Sequence, residues 1–272
     1  MVEPGVALQL LALGLGAGFL AGLLGIGGGM LMVPFLSLIL LGQGVPAGLN
    51  VKMAIATAMA TILFTSISSV RAHHRRGNVR WDLVRGLAPG IVVGGLVAGA
   101  GIFAWVKGPG LALAFAVFVW FSAAQMLLDR KPKPGREVPG TAGLAAAGGL
   151  FGLVSGLVGA GGAFMSSPFM LWCNVPMHRV VATSAALGFP IALSNTVGYL
   201  ISGRNLPALI PGTLGYLYLP ALVIVALASV ASAPLGVRAA HALDTAQLKR
   251  VFSMLLLVLG GTMFREAWRA WQ

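Results

Sequence analysis

Acidic residues are nearly missing from this chain: its 272 residues carry six Asp and Glu against 18 Lys and Arg. Charge of either sign is scarce, at 9% of residues. With 58% hydrophobic residues and a mean hydropathy of +0.92, a soluble globular domain is excluded. The single cysteine, Cys173, excludes an intrachain disulfide framework and any paired-cysteine metal or redox motif, and reads as a small apolar filler. The six acids are Glu3, Asp82, Asp129, Glu137, Asp244 and Glu266, and the four histidines are His73, His74, His178 and His241. All fall between the apolar runs or at their borders. Membrane enzymes and proton pumps carry such groups inside their spans. The pattern argues against catalysis, a bound metal or cofactor, a cationic substrate, and a proton relay through a buried carboxylate. No Walker lysine or GxGxxG in a βαβ setting occurs, so a nucleotide site is not expected. The net charge of +12 sits between apolar runs, as topology signals do, which argues against nucleic acid as a partner.

What the chain does have is long apolar runs, over residues 5–41, 51–70, 86–106, 109–128, 141–173, 180–202, 212–237 and roughly 246–268. Most match the ~20 residues of a crossing helix. The expected fold is an all-α polytopic membrane protein with about eight transmembrane segments, embedded in the lipid bilayer. The amino end, Met1-Val2-Glu3-Pro4, has an acid where a signal peptide needs a basic region, so the first segment is expected to be retained.

A motif is written twice: Gly25-Ile26-Gly27-Gly28-Gly29 ahead of Pro34-Phe35, and Gly159-Ala160-Gly161-Gly162-Ala163 ahead of Pro168-Phe169. Shifted by 134 positions, Gly22, Gly25, Gly27, Gly28, Pro34 and Phe35 fall on matching residues; shifted by 126, Ala56-Thr57, Ser68 and Gly77 do the same. This divides the chain into a first transmembrane repeat (1–128), a basic linker (129–140) and a second repeat (141–272), each of four segments. One helix over residues 5–41 would be about 55 Å long at ~1.5 Å per residue, against a hydrocarbon core of ~30 Å. Segments 1 and 5 are therefore expected to break, or to re-enter, at the glycines. If both cross, the Lys/Arg count on the two sides is twelve to six; if both turn back as hairpins, it is thirteen to five. Charge does not choose between them, although length favours the hairpin. In either case the loops 71–85 and 129–140 are expected in the cytoplasm.

Inside the runs the available chemistry is hydroxyls, one amide and freed backbone. Thr57, Thr61, Thr65 and Ser68 recur on one helix face, and the corresponding run carries Thr183, Ser184, Ser194 and Asn195, with Pro190 freeing a carbonyl. Helix starts after Gly29 and Ala163 would present unpaired N–H groups suited to an oxyanion. The candidate substrate-binding residues are Gly27, Gly28, Gly29, Thr57, Thr61, Ser68, Gly161, Gly162, Ser166, Ser167, Thr183, Ser194 and Asn195. The competing reading is that hydroxyls glue helices together and glycines let them pack closely, as Gly95 and Gly99 would. Lys52 and Arg179 open the second span of each repeat, where they can draw anions inward or simply anchor helix ends.

The glycine motif with its following proline, the Val45-Pro46 loop, Ala54-Ile55-Ala56-Thr57-Ala58, and His73-His74-Arg75-Arg76-Gly77-Asn78-Val79-Arg80-Trp81 together resemble the TauE/SafE sulfite exporter family, also called the toluene sulfonate uptake permeases. The likeness covers essentially the whole chain. It implies a bacterial inner-membrane transporter of sulfite, sulfonates or related sulfur-containing or carboxylate anions. Family members differ in substrate and in direction. The first expectation is thus a secondary transporter of a small anionic substrate held near the midplane between the two glycine breaks. The alternatives are a membrane scaffold or assembly protein without transport, and an anion channel or other small-solute permease. Association into a homo-oligomer is compatible with the sequence.

Overall fold

Apolar runs leave the backbone no hydrogen-bond partner but itself, and helix is the local solution. The computed structural model describes residues 3–24, 28–128, 135–208, 210–239 and 245–270. The elements are α1 (Pro4–Leu24), α2 (Gly29–Gly42), α3 (Leu49–His74), α4 (Trp81–Leu96), a π-helical turn (Val97–Ile102), α5 (Phe103–Trp105), α6 (Gly108–Leu127), α7 (Thr141–Val158), α8 (Ala163–Trp172), α9 (Met177–Gly203), β1 (Thr213–Leu214), β2 (Leu217–Tyr218), α10 (Leu219–Ala239) and α11 (Thr245–Arg269). Among the described residues, eight helical stretches are long and apolar enough to cross a membrane, α4 to α5 counting as one. The run expected over 212–237 becomes helical only at Leu219. Ahead of it, Gly212 and Gly215 take positive φ values of 89° and 57° and fold a two-stranded ribbon.

The α2 and α8 helices, of 14 and 10 residues, are too short to cross. Instead α2 folds back along α1: Gly28 sits against the Ala17 carbonyl, and the groove between the two helices is lined at one end by Glu3 and Val6 with Gly42 and Gln43. The second pair folds back likewise. Phe151 and Phe169 meet ring to ring at 5.6 Å, and the N–H groups of Gly135 and Arg136 donate to the Trp172 carbonyl at 3.3 Å. Each pair is a hairpin that returns the chain to the side it came from.

Helix directions follow from the close approaches. Along α1, Gly14, Gly18 and Gly22 meet Val225, Ser229 and Ala233 of α10 in turn, so those two helices run parallel. Gly86, Gly90 and Gly94 meet Leu144, Ala145 and Gly149 in the same way, so α4 and α7 are parallel too. By contrast, α3 and α9 cross antiparallel. The Tyr218 N–H, beyond the end of α9, donates to Thr57 near the start of α3 at 3.0 Å; the Arg80 N–H, beyond the end of α3, donates to Thr183 near the start of α9 at 3.1 Å. These are also the innermost helices, 72% buried along their apolar windows where the other spans are 39–50% buried.

The parallel pairs depend on missing side chains. A Cβ at Gly90 would stand 1.8 Å from the Ala145 carbonyl oxygen, whereas one at Gly149 would find nothing nearer than 3.7 Å. Gly90→Val is expected to lower the Tm in detergent strongly, through an overpacking cost of about 1–3 kcal/mol or more, while Gly149→Ala leaves it nearly unchanged. Equal melting of the two variants would contradict the α4–α7 packing.

Candidate functional site

The two glycine segments meet. Gly28 holds the left-handed conformation (φ 72°) just before α2, and Gly162 does so (φ 66°) just before α8. A Cβ on Gly29 would lie 2.3 Å from the Gly159 carbonyl oxygen and 2.9 Å from Ile62 Cδ1, so the hairpins touch backbone to backbone halfway along α3. Gly27, with Gly25 and Ile26, lies outside the described residues. The amides after the second break are largely spent locally: Gly162 and Ala163 donate to carbonyls two residues back, at 2.8 and 2.7 Å, and Ser166 donates to Gly162 at 2.9 Å. The anion-facing row of free N–H groups expected there is correspondingly reduced.

Hydroxyls gather beside that contact. A cavity of about 10 Å³ lies where α3 crosses α9, walled by Thr65, Ser66, Ser69, Ser184, Gly161 and Gly188 with Ala21 and Ala185. Thr65 Oγ1 donates to the Thr61 carbonyl at 3.1 Å and pairs with Ser229 Oγ at 2.6 Å. Ser66 donates to the Leu63 carbonyl at 3.0 Å. Ser184 Oγ bonds both Ser166 Oγ (3.0 Å) and Ser167 Oγ (3.1 Å). Ser69 Oγ is buried and has no partner. A buried hydroxyl without a partner costs about 1–3 kcal/mol unless something else fills the need. All the polar groups here are neutral, and a rotating hydroxyl can turn its proton towards an anion.

Of the residues singled out from sequence, Gly161 lines this cavity, Ser166 and Ser167 support its Ser184, and Gly28 and Gly29 belong to the adjoining hairpin. The others lie elsewhere. Thr57 and Thr183 are fully buried, and each accepts the incoming N–H described above. Thr61 donates to the Thr57 carbonyl at 2.9 Å, one turn back in its own helix. Ser68 turns to α10 and donates to the Val230 carbonyl at 3.0 Å. Ser194 and Asn195 sit about 16 Å further along α9 than Ser184, at ~1.5 Å per residue. There Ser194 donates to the Pro190 carbonyl at 2.8 Å, and Asn195 donates to the Ile191 carbonyl at 2.8 Å and faces Gly156. Sequence reasoning passed over Ser66 and Ser69. The signal is the Thr65-Ser66-x-x-Ser69 spacing, one residue off the stripe of Thr57, Thr61 and Ser68.

The two cations differ. Lys52 is nearly buried: its Nζ donates to the Ala104 carbonyl at 3.1 Å and lies 5.7 and 5.6 Å from the Phe103 and Tyr216 ring centres. Cation–π contact and a carbonyl thus anchor it. Burial pushes the Tyr216 phenol above its ordinary pKa, so that group stays neutral beside the ammonium. Arg179 stands exposed at the start of α9.

Glu266 stands at the end of its span, as the sequence places the acids, yet it has buried partners. Glu266 lies within the crossing stretch Arg250–Arg269 of α11 and accepts hydrogen bonds from Ser37 Oγ (3.2 and 3.1 Å) and from Asn50 Nδ2. Ser37 and Asn50 are both fully buried. Those partners stand 229 and 216 residues away in sequence, so no local pattern points to them.

The chain is 34% identical over 249 residues to a probable membrane transporter protein of Haemophilus influenzae, covering 91% of this chain and 94% of that one. It is 26% identical over 259 residues to a probable membrane transporter protein of Methanocaldococcus jannaschii, covering 92% of each, and 28% identical over 228 residues to the probable membrane transporter protein YunE of Bacillus subtilis, covering 75% and 83%. No solved structure matches the chain significantly. The family model for the sulfite exporter TauE/SafE matches residues 10–263. With eight apolar helices, near full-length likeness to membrane transporters and that match, the chain belongs to the TauE/SafE sulfite exporter family of membrane transporters.

Proposed function

We propose that this membrane transporter is a secondary transporter of small anions, with sulfite, sulfonates or related sulfur-containing organic anions as the substrate class, and that the substrate binds between α3 and α9 beside the two glycine segments. The observation that carries this reading is the cluster of neutral hydroxyls around Gly161, with Ser69 Oγ buried and unpartnered at its edge. Neutral donors in a site that lacks an acid favour an anion over a cation, and charge-assisted hydrogen bonds are about twice as strong as neutral ones. At about 10 Å³ the cavity has room for a single water and is several times too small for sulfite. On this reading the site is closed, and loading requires α3 and α9 to part.

The helix directions support how that parting works. The α1–α10 pair corresponds to α7–α4, and α3 and α9 exchange roles, as expected of two related halves inverted in the membrane. Rocking of one half against the other would expose the crossing to each side in turn. With both hairpins turned back, 13 of the 18 Lys and Arg gather on the side of loops 71–85 and 129–140, which we assign to the cytoplasm of a bacterial inner-membrane protein, with both chain ends opposite.

The test is counterflow. Proteoliposomes loaded with sulfite, isethionate or acetate are expected to take up the labelled anion only when protein is present. A flat response across all three would remove the transport reading in favour of a scaffold whose glycines and hydroxyls serve packing.

A further inference from the structure

We propose that the Lys52 ammonium is an outer anion-binding site of this transporter, capped in this structure by Tyr216, which must turn aside for an anion to bind. The proposal rests on the anion-transport reading and adds to it the place where an anion from outside is first held.

Lys52 is the fourth residue of α3, on the side opposite the 71–85 loop and about 15 Å outward of Ile62, where the two hairpins touch. It is 9% exposed, yet Ala104, to which it bonds, and the next residue Trp105 are exposed, so the ammonium lies just below the outer surface. Of its three N–H donors one is spent on the Ala104 carbonyl, and Phe103 and Tyr216 offer ring faces at 5.7 and 5.6 Å. No carboxylate forms an ion pair with it among the described residues. The Tyr216 phenol stays neutral and supplies no counter-charge. Taking an ammonium out of water without a counterion is costly, and ring contacts return part of that cost. The group that returns the rest is an anion, held by the donors that Ala104 leaves free. An acidic side chain there would occupy those donors; with none among the described residues, they are left to a solute.

The cap is the tip of the ribbon. Gly215, at φ 57°, is the first of the two turn residues between β1 and β2, where a tight hairpin turn favours glycine, and Tyr216 is the second. The tip presses on the end of α9, where a Cβ on Gly203 would lie 2.9 Å from Tyr216 Cδ2. Tyr216 meets the Phe103 ring edge to face at 5.3 Å, and Phe103 meets Tyr199 at 4.4 Å, both of these being fully buried. The base of the ribbon is hydrogen-bonded to α3 through the Tyr218 N–H and Thr57, whereas the tip is held by ring contact and by packing on Gly203. The tip is therefore the part that can lift and uncover Lys52. Arg179, which opens α9 at the inner end of the crossing, stands exposed without such a cap.

Acylation of Lys52 by succinimidyl acetate in detergent, read by peptide mass spectrometry with the exposed Lys107 as internal reference, tests the site without transport. Tyr216→Ala should be acylated at Lys52 about tenfold faster than the wild type. In that variant isethionate, against gluconate at equal ionic strength, should slow the acylation about threefold or more. In counterflow, Lys52→Met should raise the KM for isethionate about tenfold, while Lys52→Arg stays within about threefold of the wild type because charge and ring stacking are kept. Lys52→Met keeps the length of the side chain and removes a buried charge, so its fold is expected to hold. Acylation that isethionate leaves unchanged, an unchanged KM in Lys52→Met, or a Tyr216→Ala protein acylated no faster than the wild type overturns the proposal. If no anion is carried but isethionate still protects Lys52, the transport reading fails and the outer anion site stands.

Discussion

Gly29→Ala is expected to lower anion counterflow about tenfold, although it adds a single methyl group. That Cβ would stand 2.3 Å from the Gly159 carbonyl oxygen and 2.9 Å from Ile62 Cδ1. A side-chain methyl can turn aside, whereas a backbone carbonyl in the opposite hairpin moves only with that hairpin. Inserting a methylene or methyl into a full site costs about 1–3 kcal/mol, and about 1.4 kcal/mol corresponds to a tenfold change in a rate or population. Because Gly29 is the first residue of α2, the strain falls on the contact between the two hairpins rather than on either helix body. Gly42→Ala is the control, since a Cβ at that end of α2 meets nothing within 4 Å. Counterflow by Gly29→Ala within twofold of the wild type would mean that the two breaks are apart in the working protein.

Ser69→Ala should raise the KM for sulfite or isethionate about tenfold while leaving the Tm unchanged or slightly higher. These two effects separate a ligand-binding hydroxyl from a structural one. A hydroxyl that glues helices has a protein partner, and its loss lowers stability; Ser69 Oγ has none, so removing it relieves a buried unpaired group. A hydrogen bond to a charged ligand contributes about 1.5–3 kcal/mol, which sets the expected loss of affinity at tenfold or more. Ser184→Ala is the companion and should act on both axes. It removes a cavity hydroxyl and also strands Ser166 and Ser167, which bond to it at 3.0 and 3.1 Å. An unchanged KM in both variants would place the substrate elsewhere.

Much of the architecture was legible because membrane crossing constrains length. Helices of about 20 apolar residues satisfy their own backbone across the bilayer, so the runs mapped onto spans with little freedom. Exceptions arose where glycine intervened, as at Gly212 and Gly215, which made a ribbon out of the start of an apolar run. The site was read less well. Helical periodicity placed Thr57, Thr61, Thr65 and Ser68 on one face, but a face is defined by the helix alone and its environment by its neighbours. The structure gives those four hydroxyls different partners, and of them Thr65 reaches the cavity, beside Ser66 and Ser69 on the adjacent stripe. Arithmetic on charge had the same limit, since crossing and hairpin topologies share their cytoplasmic loops.

The sequence by itself determined that this is a helical membrane protein with two glycine-interrupted segments, few acids and an excess of basic loops, because hydropathy, helix rise and backbone satisfaction act within a single segment. Only the tertiary structure decided that the segments turn back, that Gly29 meets Gly159, that the hydroxyls of α3 and α9 close on Gly161, and that Glu266 is tied to Ser37 and Asn50. These are contacts between helices up to 229 residues apart. They arise from close packing among small side chains, and no local pattern along the chain encodes which glycine faces which carbonyl.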